Sequence, residues 1–128
     1  MNWFAVIAAA LSSFVLGGLW YGPLFGKAWM KAAGVSTEQV ANGNKGMIFG
    51  GSLVLALLSA MAFSYMLGND EDAVSGALYG ALGGFCFVAA SFGSTYLFEH
   101  KPMNLWLING GYRTLQFTLI GLILGAWH

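Results

Sequence analysis

The chain has 128 residues, of which 58% are hydrophobic and only 8% are charged, whereas ordinary soluble domains contain about 25% charged residues. Because a domain of this length buries only about two-thirds of its unfolded surface, this composition excludes a soluble enzyme. A formal net charge of +0 excludes a basic surface for nucleic acid, and a single cysteine excludes an internal disulfide framework.

Four long apolar stretches predict an all-α, polytopic membrane protein with one transmembrane domain over residues 1–128. A helix needs about 20 consecutive apolar residues to cross a bilayer. The predicted spans cover residues 3–21, 47–67, 73–98 and 104–127. They lack the two-residue alternation typical of transmembrane strands. We therefore predict a bundle of four transmembrane helices, with a short interfacial helix between the first and second spans.

The placement of lysines predicts the orientation of the chain. The loop after the first span contains Lys27, Lys31 and Lys45, whereas residues 70–72 in the next loop are all acidic. The third loop again contains a lysine, Lys101. Since positively charged residues stay on the cytoplasmic side, both termini are predicted to lie outside the cytoplasm.

Small residues recur four positions apart in every predicted span, and such rows let helix backbones approach closely in a membrane. The glycines that we predict to pack helices are Gly17, Gly76, Gly80, Gly84, Gly121 and Gly125. Because all four spans carry such a row, some rows are expected to meet a second subunit. The sequence therefore predicts a homo-oligomer.

The loop between the first two spans combines aromatic and basic residues after Pro23, which is predicted to end the first helix. A short helix there would place aromatic residues on one face and lysines on another. Aromatic side chains favour headgroup depth, and lysines favour anionic lipid. We predict an interfacial anchor, with a gate or docking surface as the alternative, formed by Trp20, Tyr21, Phe25, Lys27, Trp29 and Lys31.

Three local signals predict where helices begin and end. Gly34 suits the end of the short helix, and Ser36 with Gln39 fits a capping box that starts a further helical turn. The acidic residues 70–72 stand at the predicted start of the third span, where negative charge is favourable. They are therefore interpreted as a helix cap rather than a cation site.

Arg113 is the one charged side chain within a predicted span. A charge at this depth costs about 2.5–3.5 kcal/mol on insertion scales and by default marks a functional site. On a helix, Asn109 and Gln116 share its face, and the three side chains can donate hydrogen bonds to an anion, a carbonyl or a headgroup. The alternative is a structural role, in which Arg113 binds backbone carbonyls or hydroxyls such as those of Ser91 and Ser94.

Four runs near the two ends of the chain stand out: Gly17–Pro23, Phe25–Lys31, Ile108–Tyr112 and Gly121–Trp127. In these runs the chain resembles domain of unknown function family 1761, a family of small bacterial membrane proteins. The resemblance implies four transmembrane helices in the bacterial inner membrane and no established activity. It supplies no catalytic residues.

The sequence leaves two classes of function open, and we do not expect an enzyme. The predicted spans contain no nucleophile paired with a base, and we expect no metal and no other cofactor. The first class is a homo-oligomer in the lipid bilayer that binds or conducts a small polar or anionic solute, or a lipid headgroup, at Arg113, Asn109 and Gln116. The second is a structural or accessory subunit that packs against a partner membrane protein.

Overall fold

The structure, a computed structural model, describes residues 2–127; Met1 and His128, the end residues of the predicted domain, lie outside the described residues. The described chain consists of helices and connecting loops, which confirms the all-α prediction. The helices are α1 (Trp3–Leu24), α2 (Gly26–Ala33), α3 (Thr37–Asn42), α4 (Lys45–Leu67), α5 (Ala73–Phe98) and α6 (Met103–Ala126).

Among residues 2–127, three helices are long and apolar enough to cross a membrane, namely α1, α4 and α5. This indicates a membrane location. The fourth predicted span forms α6, whose 24 residues exceed the length of about 20 that a span requires. The Asn and Gln side chains of α6, together with Arg113, lower its mean hydropathy below that of α1, α4 and α5. The structure therefore supports three of the four predicted spans as membrane-crossing helices.

Pro23 does not end the first helix, contrary to the prediction. The α-helix Trp3–Leu19 continues into a π-helical turn, Trp20–Leu24, in which the Phe25 N–H donates to the Trp20 carbonyl at 2.8 Å. A proline lacks an N–H and clashes with the carbonyl four residues earlier, and we attribute its tolerance here to the wider π turn. Such turns are frequent at functional sites.

The three other predicted helix boundaries, at Gly34, Ser36 and residues 70–72, are confirmed. The short helix α2 ends at Gly34, whose φ of 73° lies in the left-handed region. The side chains of Ser36 and Gln39 form the capping box that starts α3. Asp72 caps α5 by accepting from the Ser75 N–H at 2.8 Å, and the hydrogen bonds from Ser75 hold the pKa of Asp72 below its usual range.

The four long helices form an open arrangement, in which the predicted pairing of all four helices into one bundle is seen only in part. The central helix α6 packs against α5 on one side and α1 on the other, while α4 packs mainly on α1. Between α4 and α5, the described residues show no extensive contact. The core therefore lies where α1, α4 and α6 meet, around Val6, Ala60 and Ile120.

Close backbone contact between α5 and α6 explains much of the glycine content. The glycines at this interface are Gly76, Gly80 and Gly84 on α5, and Gly121 and Gly125 on α6. A Cβ atom added to Gly80 would overlap the Phe117 carbonyl and lie 3.1 Å from the Thr118 Cα. Gly17 instead faces a side chain, because its added Cβ would lie 2.9 Å from the Tyr112 hydroxyl oxygen.

The loops place opposite charges at opposite ends of α4. Its 23 residues correspond to about 35 Å of helix. We call the end with Lys27, Lys31 and Lys45 the lysine end, and the end with residues 70–72 the acidic end. The separation of the two ends agrees with the charge pattern from which the orientation was predicted.

Candidate functional site

Arg113 faces a half-open cavity of about 470 Å³ between α1, α4 and α6. This volume falls within the range of about 300–1,000 Å³ that is typical of ligand sites. The cavity extends from Gly22 near the lysine end to Ser59 in the middle of α4. We call it the Arg113 cavity; its polar lining consists of Ser13, Tyr21, Ser52, Ser59, Tyr112, Arg113 and Gln116.

The Arg113 guanidinium is held in place but is not neutralised. Its Nη1 donates to Gln116 Oε1 at 2.9 Å, and its Cζ lies 5.0 Å from the centroid of the Tyr112 ring and 5.9 Å from that of Phe92. Within residues 2–127 no carboxylate pairs with it, so four of its five N–H donors have no protein acceptor. The described residues contain no buried side-chain nitrogen without a partner, so Nε and Nη2, which carry three of these donors, remain accessible.

Two neighbours fix the position of this arginine. On the backbone side, α5 contacts α6 closely at Gly84, where an added Cβ would lie 2.8 Å from the Arg113 carbonyl oxygen. On the side-chain side, Gln116 is only 3% exposed. Its Nε2 donates to Ser13 Oγ at 3.4 Å, and this hydroxyl donates to the Ala10 carbonyl at 3.0 Å. Gln116 therefore links the guanidinium to α1.

The structure separates Asn109 from the other two predicted binding residues. Its Oδ1 accepts from the Tyr21 hydroxyl, and its Nδ2 donates to the Tyr96 hydroxyl at 2.7 Å. Asn109 thus joins α1, α5 and α6 and does not line the Arg113 cavity. Arg113 and Gln116 line the cavity, whereas the hydrogen bonds of Asn109 connect three helices.

The six predicted anchor residues divide into three groups. Phe25, Lys27 and Lys31 are exposed at the lysine end. Trp29 is half-buried against Tyr21, with ring centroids 5.8 Å apart. Trp20 and Tyr21 lie in the π turn and contact α6.

The contacts of Trp20 and Tyr21 with α6 are specific. The Trp20 Nε1 donates to the Ile108 carbonyl at 2.9 Å, and the Tyr21 ring lies edge-on to Tyr112 at 5.3 Å. Tyr21 therefore forms part of the wall of the Arg113 cavity, whereas Trp20 attaches the π turn to α6 outside that cavity. This contact with α6 was not predicted, because Pro23 was expected to end the first helix.

Four residues of the cavity were missed as site residues, namely Ser13, Ser52, Ser59 and Tyr112. Ser13 on α1 and Ser52 on α4 belong to small-residue rows that were interpreted as packing surfaces, whereas Ser59 lies outside those rows. The spacing of Ser52 and Ser59, seven residues apart, places both hydroxyls on one helix face. That spacing was an available signal. Tyr112 carried no comparable signal, because its hydroxyl donates at 3.0 Å to the carbonyl of Ser13 on α1, which is distant in the sequence.

Helices that are long and apolar enough to cross a membrane, together with an arginine that faces a half-open cavity, indicate a small helical protein of the membrane class. The family model described as "Protein of unknown function (DUF1761)" matches residues 4–125, so the chain belongs to this family and the predicted resemblance is confirmed. Neither the curated proteins nor the solved structures yield a match. In the described part of the chain, no group of three His, Cys, Asp or Glu residues is placed to hold a metal ion.

Proposed function

We propose that the protein binds a small anionic group, either a free anion or a lipid headgroup, in the Arg113 cavity. One observation carries the proposal: Arg113 directs donors without acceptors towards a cavity in which no carboxylate neutralises it. Guanidinium groups bind carboxylates and phosphates through paired hydrogen bonds. A bound anion would offset the cost of placing this charge within the membrane.

The hydroxyls around the guanidinium support anion binding. Ser52 and Ser59 on α4 face Arg113 across the cavity and make no hydrogen bond within residues 2–127. Each hydroxyl can donate one hydrogen bond to an anion. Binding is favoured over conduction because the polar lining ends at Ser59 and Gln116, and the side chains beyond that point are largely apolar.

The proposal includes a fourth crossing by α6, in the orientation predicted from the lysines. Because α6 lies between α1 and α5, much of its polar surface contacts protein; Gln116, for example, is buried. The lysine end would then lie in the cytoplasm of a bacterial cell, and both termini outside it. We also propose a homo-oligomer in the inner membrane, since Gly50 of α4 leaves open surface where a Cβ atom added to it would meet no heavy atom within 4 Å.

One labelling experiment tests orientation and self-association together. In a Cys86→Ser background, which removes the exposed native thiol, Lys31→Cys and Glu71→Cys should react with membrane-impermeant maleimide from opposite sides of inner-membrane vesicles. Copies carrying donor and acceptor dyes at one site should show energy transfer in lipid at low protein density. Labelling of both sites from one side contradicts the orientation, and absence of transfer contradicts the homo-oligomer.

The substitution Arg113→Gln tests anion binding. Phosphate at about 100 times its Kd should stabilise the wild-type protein by about 2.7 kcal/mol, measured as a rise in melting temperature in mild detergent at constant ionic strength. The variant should lose this rise. Its stability without phosphate should fall little or even increase, because buried charges often contribute no net stability.

The matched control is Lys27→Gln, which removes an exposed positive charge at the lysine end and should keep the phosphate response. Equal phosphate responses in wild type and Arg113→Gln would refute the binding role. Arg113 would then be a packing residue, and the role of an accessory subunit beside a partner membrane protein would become the better proposal.

A further inference from the structure

A second depression begins where the Arg113 cavity ends. It has a volume of about 460 Å³ and lies between α4 and α5, with Phe117 of α6 also in its lining. Ser59 lines both spaces. We call the second one the apolar groove; its lining includes Phe63, Met66, Phe87, Val88 and Phe117.

The groove exists because α4 and α5 diverge. Along α4 it runs from Ser59 to Leu67, a distance of about 12 Å along the helix axis. On the α5 side, Gly83 leaves space, since an added Cβ would meet only the Phe87 side chain at 4.0 Å. The groove is half-open, and an opening between two helices that cross the membrane would face the bilayer in which they are proposed to lie.

Charge differs between the two ends of the combined space. Arg113 lies at the cavity end, and Glu71 lines the groove near the acidic end. A negative group is therefore attracted to the first end and repelled from the second. The aromatic and aliphatic residues between them would remove water from a free anion without replacing its hydrogen bonds, which argues against a continuous ion pathway.

We propose that the ligand is an anionic amphiphile of the membrane, whose headgroup binds at Arg113 and whose apolar chain lies in the groove. This inference rests on the anion binding proposed above and specifies the class of ligand. The junction at Ser59 lets one molecule occupy both spaces. A free anion would use only the cavity, whereas an amphiphile matches the polar and the apolar half together and can enter sideways from the bilayer.

The test uses decyl phosphate with a photoreactive diazirine at the end of its chain, added to the protein in phosphatidylcholine nanodiscs. Crosslinks located by mass spectrometry should concentrate on groove residues such as Phe63, Met66 and Phe87. Unlabelled decyl phosphate should compete, and decanol should not. In Arg113→Gln, labelling of the groove should fall about tenfold, the loss expected when charged hydrogen-bond donors are removed.

Two glycine variants separate the groove from the cavity. Gly83→Leu should fill the groove and abolish labelling there, while the phosphate-induced rise in melting temperature persists. Gly51→Leu is the matched control, because Gly51 has open space around it and lines neither depression. It should preserve both groove labelling and the phosphate response.

The failures of the two proposals are distinguishable. A normal phosphate response, combined with labels scattered over α1 and α4 or with equal labelling in Arg113→Gln, would overturn the amphiphile proposal and leave anion binding intact. If neither phosphate nor decyl phosphate raises the melting temperature of the wild-type protein, anion binding fails and the amphiphile proposal fails with it.

Discussion

Replacement of Gly80 by leucine should separate α5 from α6 and sharply reduce the yield of folded protein. An added side chain at this position would collide with the backbone of α6 at Phe117 and Thr118. Overpacked side chains usually cost about 1–3 kcal/mol because neighbouring side chains can move. A helix backbone cannot yield in this way, so we expect a loss of about 3 kcal/mol or more, measured as folded yield and thermal unfolding in detergent.

The comparison with Gly51→Leu isolates the effect of the contact. Both substitutions add the same side chain to a glycine of a long apolar helix, but a Cβ atom added to Gly51 would meet no other heavy atom within 4 Å. A substitution away from packed contacts usually changes stability by about 0.5 kcal/mol or less. If Gly80→Leu unfolds at the same temperature as Gly51→Leu, the proposed contact between α5 and α6 is wrong.

Replacement of Asn109 by leucine should destabilise the protein without affecting anion binding. The amide links the hydroxyls of Tyr21 and Tyr96, and its removal deprives both of a partner. Hydrogen bonds between membrane helices are individually modest, so the loss of this pair should cost about 1–3 kcal/mol. Thermal unfolding of Asn109→Leu, with and without phosphate, measures both parts of the prediction.

The matched control for this substitution is Asn104→Leu, at an exposed position near the start of the same helix. It should leave stability nearly unchanged. A double-mutant cycle that combines Asn109→Leu with Tyr96→Phe should show coupling, because the two residues share a hydrogen bond. Additive effects in this cycle, or a phosphate response lost in Asn109→Leu, would contradict the separation of the link from the binding site.

The separation of Asn109 from Arg113 shows the limit of reasoning along one helix. The spacing of Arg113 and Gln116 predicted that their side chains would be neighbours, and they share a hydrogen bond. Asn109 occupies nearly the same face, yet it bonds to tyrosines that are 88 and 13 residues away along the chain. A pattern on one helix predicts which side chains lie close together, but it does not predict which neighbouring helix satisfies each of them.

The helices themselves follow from the sequence alone. Long apolar runs, the caps at Ser36 and Asp72, and the glycine at position 34 define where helices lie, because these signals act within a few residues. The lone arginine within the fourth predicted span could also be identified from the sequence. The cost of placing a charge within a membrane is high whichever residues contact it, so no knowledge of its neighbours was needed. These local features predicted four long helices and the residue at the centre of the candidate site.

Only the tertiary structure decided how the helices are arranged and what the arginine faces. Glycine contacts pair α5 with α6 and leave α4 apart from α5, which opens the apolar groove. The π turn at Pro23 carries Trp20 and Tyr21 onto α6, and Tyr21 completes a wall of the cavity. Each of these features depends on contacts between residues far apart in sequence. Because every helix carries a row of small residues, the sequence does not determine which two helices pack closely together.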